Sequence, residues 1–222
     1  MGALTTKDLR ETMRERLVAA DLEYAELTWP TVLAHRPLAD GARCSCGRRQ
    51  CPEPGAHPIS PDWRDEATAD PEAVAARRQR RPDAGILLAT GLGVDVLDAP
   101  AMAGASVLDD LERKTGRPMA PVAVREDRYL FFVDSRRVEA GEAGGVAPSV
   151  SRGRMRVRRD PFTVLWHAAG SYVLLPPSLT PDGGRVFWLR RPAEEPRPDP
   201  LVLVDALVAA STRLGGAGEA GR

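Results

Sequence analysis

The chain has 222 residues with 31 basic and 31 acidic side chains, so its formal charge is zero, which excludes a histone-like or tail-type nucleic-acid binder. Hydrophobic residues make up 43% and charged residues 28%, enough apolar material for one core, and one domain is the expectation.

Residues 5–27 read as an amphipathic helix: Leu9, Met13, Leu17, Tyr24 and Leu27 recur near helical spacing, and Thr5 or Thr6 caps the first turn. Residues 31–34 are short and β-branched, a strand signal. From there to Pro61 the chain is rich in Gly, Pro and Cys, which predicts a long loop in need of a staple. Asp70-Pro71-Glu72 supplies a cap, a proline at the first helical position and an acid in the first turn, and Arg81-Pro82 closes the segment, predicting a helix over 71–80. Two apolar runs, 85–89 and 94–97, flank Thr90-Gly91-Leu92-Gly93 and read as buried strands around a glycine turn.

A helix over about 104–115 follows, then a hairpin from 121–124 and 129–133 around Glu126-Asp127-Arg128. Residues 162–166, 171–175 and 186–189 are further strand candidates, and 200–214 is an apolar-faced helix. Residues 135–160 are Gly- and Arg-rich and read as a surface excursion; its end, S-R-G-R-M-R-V-R-R-D, carries five arginines. The domain is expected to span 1–214, with 215–222 a disordered tail. Helices and strands interleave without a strict rhythm, which predicts an α+β single domain with a central mixed β-sheet flanked by helices.

No window approaches the roughly 20 apolar residues of a membrane span, and the charged opening lacks a signal core. A cytoplasmic location with no membrane partner is expected. Apart from Lys7 and Lys114 every basic residue is Arg, a bias that suggests a GC-rich, bacterial genome.

All three cysteines, Cys44, Cys46 and Cys51, fall in the loop over 43–58, and His57 follows. Three thiolates and an imidazole are a full tetrahedral set for Zn²⁺, and such a clip would order a loop that buries little of itself. Four protein ligands leave no open position for water, so the zinc is read as structural. The other readings are three reduced surface thiols, or a disulfide, disfavoured by a reducing compartment and an odd count.

The order of features is more specific than any one of them: Trp29-Pro30, C-S-C-G-R-R-Q-C-P-E-P-G-A-H-P, W-R-D-E-A-T-A-D-P-E, R-P-D-A-G-I-L-L-A-T-G, then G-S-Y-V-L-L-P-P-S and G-G-R-V-F-W-L. Over about residues 20–191 this resembles the bifunctional DNA primase/polymerase N-terminal (Prim-Pol) domain of the archaeo-eukaryotic primase superfamily. The resemblance implies a modified RNA-recognition-like sheet and, in active members, nucleotidyl transfer by two divalent ions held on a cluster of carboxylates. An Asp-x-Asp pair is expected at the strand after the glycine turn, and here Asp98 matches the first acid while Pro100 stands at the second. Tyr129 stands where the family has a histidine. Leu165 replaces the third acid, and His167 takes the place of an arginine. One acid cannot hold two metals, and Asp95, three residues from Asp98 on a strand, falls on the opposite face.

The expectation is therefore a stand-alone, catalytically degenerate Prim-Pol-like domain, with no helicase following, that acts as a nucleic-acid-related binding or regulatory module. The alternatives are an active primase/polymerase using displaced acids, the only case that calls for Mg²⁺ or Mn²⁺, and a zinc-stapled scaffold for a protein partner. For DNA or RNA the contact candidates are Arg154, Arg156 and Arg158, whose alternation places them on one side of an extended segment, and His167. Arg77, Arg78, Arg80 and Arg81 form a second basic patch. Thr90-Gly91-Leu92-Gly93 lacks the third glycine of a dinucleotide fingerprint, and Ser178 has no triad partners in any familiar order. Trp166 reads as core rather than as a base-stacking platform.

Overall fold

The computed structural model describes residues 6–38, 41, 43–115, 120–135, 150–152, 163–193 and 197–219. In chain order the elements are α1 (Thr6–Glu26), β1 (Thr31–Ala34), α2 (Trp63–Glu66), α3 (Pro71–Arg80), β2 (Gly85–Ala89), β3 (Val94–Pro100) and α4 (Ala101–Thr115). There follow β4 (Val122–Arg125), β5 (Arg128–Asp134), β6 (Val150–Arg152), β7 (Val164–His167), β8 (Tyr172–Leu174), β9 (Phe187–Arg190) and α5 (Pro200–Glu219). The α+β class expected from the sequence holds, and the chain divides into two compact units, one of residues 1–89 and 173–187, the other of 90–172 and 188–222.

The first unit is built on a three-stranded sheet of order β1-β2-β8, with Thr31 opposite Leu88 and Ala34 opposite Gly85. Its β2 is buried at every position, as a two-sided apolar strand should be. A buried carboxylate joins helix to sheet. Asp21 of α1 receives Arg78 Nε at 2.6 Å and Arg77 Nη2 at 3.0 Å from α3, together with the Thr31 hydroxyl of β1 at 2.6 Å. Tyr24 stacks on Trp29 at 5.9 Å and donates its hydroxyl to the Pro176 carbonyl at 2.7 Å. At the start of α3 the Asp70 carboxylate accepts the Glu72 N–H at 3.0 Å, the cap expected of that triplet.

The second unit carries a six-stranded sheet of order β6-β7-β3-β5-β4-β9. β3 pairs antiparallel with β5 and β7, while β6 runs parallel to β7, so this is the mixed sheet that was expected. One face packs under α4 and α5, where Leu97, Ala99, Phe131, Val133, Val164 and Trp166 meet Val107, Leu203 and Leu207. Asp98 belongs to the other row of β3, which alternates with that core.

Several elements differ from the sequence reading. β2 and β3, the buried strands expected around a glycine turn, lie in different sheets. A short strand, β6, emerges inside the Arg-rich excursion and joins the sheet edge. The one-turn helix α2 was not expected, and α5 continues to Glu219, past the end expected at 214.

Candidate functional site

Two places in the fold bring together side chains able to do chemistry. The first is the cysteine loop. Cys44 is buried, Cys46, Cys51 and His57 are part-buried, and their ligand atoms all lie within 4.8 Å of one another. Among the described residues no other group of three or more His, Cys, Asp or Glu converges in this way. Zn–S bonds of about 2.3 Å and Zn–N bonds of about 2.0–2.1 Å in a tetrahedron set ligand atoms about 3.6–3.8 Å apart, so a small contraction completes the site. Cys44 Sγ and His57 Nε2 already stand at 3.5 Å.

The local chain explains the convergence. Cys44 bridges to Pro37, Gly47 turns the chain by donating to the Cys44 carbonyl at 3.1 Å, and the Gly55 N–H reaches Cys44 Sγ at 3.4 Å. Gly55 has φ +76°, and a Cβ there would lie 2.3 Å from Pro37 Cδ, so only glycine fits. His57 Nδ1 faces the Pro58 carbonyl at 3.2 Å. A carbonyl can only accept, so Nδ1 carries the proton and Nε2 presents its lone pair to the thiols. Burial pushes the Cys51 thiol up to about 11, and the neighbouring thiols Cys46 and Cys44 add to the rise. For Cys46, burial opposes ionisation, but the Arg48 backbone N–H and the neighbouring thiols outweigh it and the net shift is downward. Three crowded thiols thus resist ionising together until a cation compensates them, and the donor set fits a soft, tetrahedral metal ion such as zinc.

The second place is Asp98, on β3 and fully buried. Arg128 Nε donates to its Oδ1 at 2.6 Å, and Arg125 Nη2 and His167 Nε2 reach its Oδ2 at 3.2 and 3.4 Å. Arg128 Nη2 also donates to the carbonyls of Asp98 and Thr163, each at 2.8 Å. Burial alone would raise the Asp98 pKa, but the His167 hydrogen bond and the charges of Arg125 and Arg128 hold it well below the ordinary carboxylate range.

Both arginines were missed in the sequence. Arg125 and Arg128 face each other across the β4–β5 hairpin, where like charges repel, so a counter-charge between them is required. Asp98 supplies it. The sequence signal was an arginine on each side of the two-residue turn Glu126-Asp127.

The other residues singled out fall into place around this pair. Leu165 stands directly opposite Asp98 in the β3–β7 ladder, and Pro100 stands opposite Arg128, so neither position adds a carboxylate. Tyr129 lies on the helix-covered face instead, its ring 6.4 Å from Phe131 and its Cβ against Gly104 of α4. The residue that faces Asp98 from this segment is its neighbour Arg128. Asp95 accepts the Gly91 N–H at 3.0 Å and the Trp166 indole N–H at 2.9 Å, on the face away from Asp98. Trp166 is buried in the core, as expected. His167 contacts Ser171 Oγ through Nδ1 at 3.2 Å, with its other nitrogen on Asp98. Arg154, Arg156 and Arg158 lie outside the described residues. Ser178 is structural, receiving the Ile86 N–H at 2.8 Å.

Mg²⁺ requires near-octahedral oxygen ligands. With both Asp98 oxygens held by cationic or imidazole nitrogens and no second carboxylate converging among the described residues, this pocket does not fit a two-metal centre. No described helix is long and apolar enough to cross a membrane.

The family model for the bifunctional DNA primase/polymerase, N-terminal, matches residues 21–200. Among curated proteins none matches the sequence.

Proposed function

The chain belongs to the bifunctional DNA primase/polymerase N-terminal family, and from that premise we propose that it is a member without polymerase chemistry, acting as a zinc-stapled module for binding or regulation in nucleic-acid metabolism. The observation that carries this reading is the neutralised acid: Asp98, at the position of the family's first metal ligand, is fully buried and its two oxygens are taken by Arg128, Arg125 and His167. On this reading the protein's own cations take the acid that the family resemblance assigns to a divalent ion. Releasing Asp98 to a metal would take the carboxylate away from the buried Arg128 guanidinium.

The cysteine loop supports the zinc half of the proposal. Cys44, Cys46, Cys51 and His57 are four ligands for one ion, which leaves no open position for substrate or water, so the metal holds the loop and does no chemistry. Nucleic acid is the partner that the family favours. Arg154, Arg156 and Arg158 are the residues proposed to meet its phosphates, and His167 is proposed to stay with Asp98.

The test is primer synthesis and primer extension by the full chain with Mg²⁺ or Mn²⁺, alongside its zinc content. The expected result is no incorporation above background and about one zinc per chain. Metal-dependent incorporation that disappears in an Asp98→Asn variant still folded by circular dichroism would overturn the reading.

A further inference from the structure

The first unit contains a cavity of about 570 Å³ that has no part in the acidic site or the cysteine ligand set. Its size falls within the roughly 300–1,000 Å³ of small-molecule pockets. Arg10 and Arg14 stand on its rim, four residues apart and so on one face of α1; both are exposed, and neither pairs with an acid among the described residues. Two like charges at that spacing repel each other, and an anion lying between them relieves the repulsion.

The acids that line the cavity are already engaged. Asp83 holds Arg36 Nε at 3.0 Å, and Asp182 receives the Thr180 hydroxyl and the Gly184 N–H. With Arg36 and Asp83 paired, Arg10 and Arg14 outnumber Asp182, whose partners are neutral, and the lining carries a net positive charge. Between the charged groups the lining mixes apolar side chains, Leu17 of α1 and Leu179 among them, with the polar His35 and Thr180. One wall is fixed by the cysteine loop: Ser45, between two of the cysteines, accepts the Arg36 N–H at 3.0 Å, bonds His35 Nδ1 at 2.9 Å and donates its own N–H to the Arg36 carbonyl at 3.0 Å.

We infer that this cavity binds a small organic phosphate, whose phosphate group takes Arg10 and Arg14 and whose body lies on the apolar side chains of the lining. A phosphate suits the site because it carries more than one negative charge and offers several oxygens to guanidinium forks, whereas a bare inorganic anion leaves those apolar side chains unused. The assignment is independent of whether the chain polymerises nucleotides, since it rests on other residues in the other unit.

The experiment is a binding titration of the metal-loaded full chain with ATP as the probe organic phosphate, and with tripolyphosphate and adenosine as its separate halves. ATP is expected to bind saturably and at least tenfold more tightly than either half. Arg10→Ala/Arg14→Ala is expected to weaken ATP at least tenfold; the side chains are exposed on a helix and alanine keeps the helix, so folding is preserved. Arg10→Lys/Arg14→Lys retains part of the binding. Asp98→Asn, where folded, binds ATP like the wild type, which separates this site from the acidic one. Absence of saturable ATP binding overturns the inference, as does a double alanine variant that binds unchanged. Tripolyphosphate or adenosine binding as tightly as ATP removes the organic body or the phosphate, respectively, from the recognition and likewise overturns it.

Discussion

The cysteine loop and the Asp98 pocket are both places where metal-ligating residue types gather, and they differ in how their charge is met. Around Cys44 three thiols and an imidazole converge, and the cationic charge that acts on Cys46, that of Arg48, leaves a donor set able to hold a positive ion. Around Asp98 the donor is single and two guanidinium cations, from β4 and β5, already stand on it beside the His167 imidazole of β7. A ligand-type residue at a family motif position is thus a poor guide to metal binding without an account of the charges facing it. Convergence with unmet charge marks a metal site, and a carboxylate with matched guanidinium groups marks a structural ion pair.

The comparison is broken or sharpened most strongly by removing the metal. Structural zinc in small finger peptides contributes roughly 10–16 kcal/mol of apparent binding energy, and part of that is expected to appear here as loop order. Chelation, or Cys44→Ser, should release the metal and lower the melting temperature of the chain; an unchanged melting curve after complete metal loss would place the two regions on the same footing.

Next in size is Asp98→Asn. It leaves buried Arg128 and part-buried Arg125 beside a neutral group, and breaking a buried pair in this way costs about 3–5 kcal/mol. Denaturant unfolding at pH 7 measures it. Because the folded pKa of Asp98 lies below its ordinary value of 3.8, its contribution is fully present above that value and is lost as the pH falls toward the depressed one. The stability gap between wild type and Asp98→Asn is therefore expected to stay constant from neutral pH down to about pH 5 and to narrow only below about pH 4. A gap that closed between pH 7 and 5 would mean that the carboxylate is not held by its partners.

Asp95→Asn is expected to cost less, about 1–3 kcal/mol, because the amide oxygen can satisfy only one of the two donors now held by the carboxylate and the other is left unpaired. Near-ultraviolet circular dichroism of Trp166 should report the change. The smallest effect is outside both regions: Asp70→Ala removes one helix cap, expected to cost about 1 kcal/mol without altering metal content. A loss as large as that of Asp98→Asn would remove the distinction between a buried ion pair and an exposed cap.

The sequence made the cysteine site legible because its four donors lie within one loop, where spacing alone counts the ligands. It made Asp98 legible as a position but not as an ion pair, because Arg125 and Arg128 reach it only through strand register, and register is not written in an apolar run. The same limit explains β2 and β3. Both are buried on both faces, so neither has the alternation that would name its partner, and the glycine turn between them links strands of different sheets. α3 was legible to its ends because a cap, a proline and a closing Arg-Pro all act locally. β6 was not, since three residues inside an arginine-rich stretch carry no period. That Tyr129, matched to the family's histidine, lies on the helix-covered face is shown only by the pleat of β5.

The measurement that bears most directly on the contrast between the two regions is a Mn²⁺ titration of the zinc-loaded chain followed by electron paramagnetic resonance, with zinc counted in the same sample. The account predicts about one zinc per chain that survives dialysis and no saturable Mn²⁺ site. A saturable Mn²⁺ site that is lost in folded Asp98→Asn would contradict it, because Asp98 would then prefer a divalent ion to the arginines that surround it.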